Sequence, residues 1–123
     1  MDLCTRYDVV IASDEIHCDF VYPGATHRPT ATIPGAGERT VTLTSGIKTF
    51  AIGGLRAAVA SFADEDLHRR FLGVPAQLLG GVNRFGCEAA TVAWEEADEW
   101  TDALVALFNG HRRRLVDRIA AEF

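Results

Sequence analysis

The run Val9-Val10-Ile11-Ala12 limits most sharply what this chain can fold into. Four consecutive apolar residues, three of them β-branched, leave no polar face to turn toward water. Such a run fits a strand buried on both faces, as in a parallel sheet. It ends in Ser13-Asp14. A second β-prone run, Val41-Thr42-Leu43-Thr44, stops at Ser45-Gly46. Between them, Pro23 to Gly37 holds three of the 4 prolines and several glycines, and reads as loop. Gly53-Gly54 breaks the next stretch, and Arg56 to Phe62 reads as a third strand.

Helical patterns flank and follow these strands. Leu3 to Tyr7 predicts the last turn of a helix. Asp64 is a good N-cap, with acidic residues behind it and Leu67 and Phe71 on one face; Gly73 and Pro75 end that helix. Gly86 precedes a second helix through Ala89, Ala90, Ala93 and Trp94. Asp98 caps a third, along which Trp100, Leu104, Leu107, Phe108, Leu115 and Ile119 keep helical spacing. The expected class is α/β, with about three strands in a mixed sheet followed by helices. Three strands alone would leave long apolar edges open, so the sequence reads as the middle of something larger.

The 123 residues suit one domain or part of one. The net charge of −5 is interspersed, without the basic stripe of a nucleic-acid binder. No apolar run spans a bilayer, and Met1-Asp2 opens no signal peptide. Cys4, Cys18 and Cys87, odd in number and irregularly spaced, make no disulfide framework. These features predict a cytoplasmic chain with reduced thiols. Arginine is used freely, yet Lys48 is the single lysine. Lysine can lose its proton where arginine cannot, so a lone lysine points toward chemistry.

Asp14 closes one strand and His17 follows it by three. Ser45 follows the next strand, Lys48 lies three further on, and Arg56 eight beyond that. In an open α/β sheet, ligands sit beyond the carboxyl ends of parallel strands. There the chain would gather a carboxylate, a hydroxyl, an amine and a guanidinium. Pyridoxal phosphate needs such a set: an amine to carry it, an anion at its ring nitrogen, and donors around its phosphate. Taken alone, Lys48 would be a solvated surface lysine, Asp14 a turn residue and Ser45 half of a Ser-Gly turn. Ser45-x-x-Lys48 also fits a serine acyl-enzyme motif, but its Ser-Asp-Asn and Lys-Thr-Gly partners do not occur. His17, Cys18 and His27 lack zinc-ligand spacing.

The segments Ser13-Asp14-Glu15-Ile16-His17-Cys18-Asp19, Thr44-Ser45-Gly46-Ile47-Lys48-Thr49-Phe50 and Gly53-Gly54-Leu55-Arg56 resemble the fold-type I, class I/II aminotransferase family. The cystathionine β-lyase-like (C–S lyase) branch is the most similar. Leu79-Gly80-Gly81-Val82-Asn83-Arg84-Phe85-Gly86, Glu88-Ala89-Ala90 and Trp100 extend the likeness over nearly the whole chain. The resemblance implies that Lys48 carries pyridoxal phosphate as a Schiff base and moves the proton. It places Asp14 at the ring nitrogen, Ser45 and Arg56 on the phosphate, and His17 where many relatives have a tyrosine at the ring hydroxyl. At Ala51 the chain departs from the family, whose members often have asparagine. The resemblance further implies residues 1–97 as part of a large cofactor-binding domain, and 98–123 as a long helix toward a small domain. A Gly-rich phosphate loop would precede Met1, and a carboxylate-binding arginine would follow Phe123. An amino acid substrate, a homodimeric intact enzyme, and carbon–sulfur β-elimination ahead of transamination complete the expectation; the alternative of another class is a truncated, non-catalytic chain.

Overall fold

The computed structural model describes residues 1–122, and Phe123 lies outside the described residues. A short helix α1 (Asp2–Arg6) leads into strand β1 (Ile11–Asp14). A loop with two 3-10 turns, Thr30–Thr32 and Gly37–Arg39, returns to β2 (Thr40–Thr44). Helix α2 (Gly46–Thr49) follows at once, then a 3-10 turn, Gly53–Leu55, and β3 (Val59–Phe62). The remainder is helical: α3 (Glu65–Leu72), α4 (Ala76–Leu79), α5 (Arg84–Glu96) and α6 (Asp98–Glu122). Among the described residues, no helix is long and apolar enough to cross a membrane.

The sheet order is β1-β2-β3, so β2 is central. β1 runs parallel to β2, with Asp14 opposite Leu43. β3 runs antiparallel to β2, with Leu43 opposite Ala60 and Val41 opposite Phe62. Side chains alternate along a strand and paired residues share a face. Ala12, Asp14, Val41, Leu43, Ala60 and Phe62 therefore stand on one face. The α/β class and the mixed three-strand sheet follow the sequence expectation.

Several boundaries differ from that expectation. β1 begins at Ile11 instead of Val9, because Asp8 takes a left-handed φ of 49° and still turns the chain. Arg39 holds this corner, donating to the carbonyls of Cys4 and Val9 at 3.2 Å each. β1 is not buried on both faces: its burial alternates, and Val10 just before it is 44% exposed. β3 starts at Val59, since Arg56 is left-handed and cannot continue a strand. Gly86 lies inside α5 instead of ahead of it, because Asn83 is the cap. Asp64 caps α3 as expected, its carboxylate accepting from the Leu67 N–H at 2.7 Å.

The buried core is small. Ala36 and Ala90 are its buried apolar residues, while Phe85 is 80% exposed. The accessible surface is 9245 Å². A compact protein of this length would expose about 6,500 Å². Leu78, Val82 and Phe85 are among the large apolar residues left exposed.

Candidate active site

Lys48 sits on α2, which starts directly beyond the carboxyl end of β2. The local sequence fixes this turn. Ser45, 3% exposed, takes an extended backbone, and its hydroxyl oxygen accepts from the Ile47 N–H at 3.2 Å. That bond caps a helix too short to hold itself. Gly46 leaves room for Phe50 and Trp94, because an added Cβ would lie 3.0 Å from the Phe50 ring. Thr49 is fully buried: its hydroxyl donates to Asp19 at 2.6 Å, and its carbonyl accepts from the Trp100 indole at 2.8 Å. Four segments of the chain thus hold the backbone on either side of Lys48. The lysine itself is exposed, and forms no ion pair among the described residues.

Asp14 is exposed at the carboxyl end of β1, where one carboxylate oxygen accepts from the Ile16 N–H at 3.2 Å. Asp14 and His17 line a cavity of about 300 Å³. The wall of this cavity is Glu15, which is 8% exposed. It accepts from the Thr30 N–H at 2.9 Å, the Ser13 hydroxyl at 2.9 Å and His27 Nε2 at 2.8 Å. Ser13 also reaches Thr30 Oγ1 at 2.7 Å. Burial alone would push the Glu15 carboxyl up, but the bonds from Thr30, His27 and Ser13 together outweigh it and hold the group below its usual range. The cluster ties the 27–30 loop to the end of β1 and so fixes the turn that carries Asp14. Burial and the neighbouring Asp19 carboxylate push the Cys18 thiol up, so it stays protonated.

Arg56 adopts φ 49° and ψ 54°, and lines a second, larger cavity of about 510 Å³ with Leu43, Ala60, Phe62 and His68. Leu43, the strand partner of Asp14, also lines this cavity. The Ser45 hydroxyl donates to the carbonyl of Ala57, next to Arg56. In this conformation its proton is committed to backbone. Asp14 and His17 share one cavity, and Arg56 lines the other; Ser45 and Lys48 line neither.

Sequence reading missed three contributors. Glu15 and His27 are far apart in sequence, and nothing local announces their meeting. The Thr49–Asp19 bond spans 30 residues in the same way. Asn83 was the accessible one: an asparagine three residues before a glycine, at the start of a helical pattern, is a recognisable N-cap.

The α/β fold is that of the pyridoxal-phosphate-dependent transferases, shared with the solved structures named below. The chain belongs to the aminotransferase class I and II family, whose description it matches over residues 1–123. Cystathionine beta-lyase PatB of Bacillus subtilis (strain 168) is 32% identical over 106 residues, 85% of this chain and 27% of that protein. The crystal structure of OvoB superposes with a TM-score of 0.89 at 33% identity, covering 98% of this chain and 32% of that one. A PLP-bound C-S lyase of Staphylococcus hominis, complexed with L-cycloserine, gives a TM-score of 0.86 at 26% identity, covering 98% and 31%. The chain therefore spans about a third of the length of the relatives it matches. The family is pyridoxal-phosphate-dependent.

Proposed function

We propose that this chain forms part of a pyridoxal-phosphate-dependent carbon–sulfur β-lyase, with Lys48 as its catalytic residue. One observation carries the reading: the single lysine is exposed on a turn fixed from four sides, at the carboxyl end of a strand whose parallel neighbour ends in Asp14. The donor set fits the cofactor. Lys48 would carry it, Asp14 would hold its ring nitrogen protonated, and Arg56 would grip its phosphate bidentately. His17, which lines the Asp14 cavity, would face the ring hydroxyl. Ser45 would add a phosphate bond by exchanging its link to Ala57. When bound, the cofactor supplies an electron sink for charge developing at the substrate Cα.

The chain's own residues then divide the work. Lys48 takes the Cα proton of the amino acid, in reach because its backbone cannot drift. Asp14, at an exposed strand end, would pair with a positive ring nitrogen. Loss of a thiolate from Cβ, protonated as it leaves, and hydrolysis of the remaining enamine by water would give thiol, pyruvate and ammonia. Cystathionine or a similar cysteine thioether is the proposed substrate, and the named relatives of the C–S lyase branch support it. The second reading is transamination, favoured by the family's own description. The same base and electron sink serve both.

Giving cystathionine without a keto acid to a full-length enzyme bearing this segment separates the two. Thiol and pyruvate released together over many turnovers support elimination. A single turnover that resumes only when a keto acid is added moves the assignment to aminotransferase.

A further inference from the structure

Arg56 is held in a conformation it would not choose. A left-handed φ of 49° is strained for any residue with a Cβ, and nothing in the arginine side chain relieves it. The carbonyls on both sides of it are bonded to side chains. On one side, Asn83 Nδ2 donates to the Leu55 carbonyl at 2.9 Å. On the other, the Ser45 hydroxyl donates to the Ala57 carbonyl.

Asn83 is itself fixed. Its Oδ1 caps α5, accepting from the N–H groups of Phe85 at 3.0 Å and Gly86 at 3.4 Å. The amide orientation is unambiguous, because its oxygen faces two donors and its nitrogen faces a carbonyl. The spacing depends on glycine: a Cβ on Gly86 would lie 2.5 Å from the Leu55 oxygen. Helix α5 therefore meets the 55–57 segment through its cap Asn83 and through Gly86, two residues that the proposed chemistry leaves idle.

We propose that Asn83 is a positioning residue for the phosphate grip of Arg56, transmitting the placement of α5 to the arginine through the Leu55 carbonyl. The proposal rests on the pyridoxal-phosphate reading above. If the Leu55 bond is lost, the left-handed residue is free to relax, and the guanidinium leaves the direction in which it meets a phosphate. The consequence is specific. Affinity for the phosphate should fall while affinity for the ring does not.

The test compares pyridoxal phosphate with pyridoxal, which lacks the phosphate, by equilibrium dialysis against a full-length enzyme bearing this segment. Asn83→Asp keeps the oxygen that caps α5 and replaces the donor with an oxygen facing the Leu55 carbonyl. It should lower the preference for pyridoxal phosphate over pyridoxal roughly tenfold, leaving pyridoxal binding unchanged. Arg56→Gln should lower the same preference, and the double variant should lose no more than Arg56→Gln alone, since both act through one contact. Equal loss of both ligands, or additive losses in the double variant, would overturn the proposal. If Asn83→Asp does not fold, Asn83→Ser carries the comparison; failure of both to fold makes the residue structural and also overturns it. A wild-type chain without preference for pyridoxal phosphate, or a preference that survives Arg56→Gln, sinks the cofactor reading beneath it. A preference that needs Arg56 but survives Asn83→Asp sinks the positioning claim alone.

Discussion

Two residues show how local cost is placed where the site needs it. Arg56 is strained by about 1–2 kcal/mol in the left-handed region. Arg56→Gly removes that strain but adds about 0.5–1 kcal/mol of unfolded-chain entropy. Thermal unfolding should therefore show Arg56→Gly at least as stable as wild type, while pyridoxal phosphate binding falls tenfold or more. Marked destabilisation would mean the arginine is there for the fold. Glu15 is the opposite case, a buried carboxylate whose three bonds hold its titration below the usual carboxylate value of 4.5. A depressed folded pKa contributes stability above the unfolded value and loses it as pH falls through the folded one. Urea unfolding between pH 6 and pH 3 should show stability declining below about pH 4.5. Glu15→Ala should cost roughly 2 kcal/mol at neutral pH and flatten that acid decline, because the Thr30 N–H and His27 lose their acceptor while Ser13 keeps Thr30 Oγ1. An unaltered acid slope in Glu15→Ala would remove this carboxyl from the account.

At the scale of elements, α2 is held by its neighbours and α5 by its approach to the 55–57 turn. Gly86→Ala sets two effects against each other. Alanine gains about 1 kcal/mol in a helix interior. The new Cβ would stand 2.5 Å from a backbone oxygen, which cannot rotate away, so α5 must shift. Overpacking of this kind costs about 1–3 kcal/mol and more against backbone, so Gly86→Ala should be destabilising by roughly 2 kcal/mol in chemical denaturation. A neutral or stabilising result would mean that α5 does not press on that turn. The elements themselves were legible in the sequence where one local pattern decides them, as for Asp64 capping α3 and Val41–Thr44 ending at Ser45-Gly46. The boundaries that differ are those set by backbone conformation rather than composition. Asp8 and Arg56 each turn left-handed without glycine, and nothing in the residue type predicts that. The motifs showed Asp14, Lys48 and Arg56 as candidates. The bonds that position them, Thr49 to Asp19 and Asn83 to Leu55, join distant segments and became visible only with the fold.

At the scale of the whole molecule, the surface decides what the chain can do alone. It exposes 9245 Å² against about 6,500 Å² for a compact protein of its length. The isolated chain should accordingly bind pyridoxal phosphate weakly and release no pyruvate from cystathionine, since remote groups that orient cofactor and substrate are not contributed by these residues. Sustained pyruvate release by the 123-residue chain would contradict that. The central claim, that Lys48 carries the cofactor, has a more direct test. The protein is incubated with pyridoxal phosphate, reduced with borohydride and mapped by peptide mass. The account predicts a phosphopyridoxyl group on the peptide containing Lys48 and its loss in Lys48→Ala. A label at the amino terminus with Lys48 unmodified would contradict it.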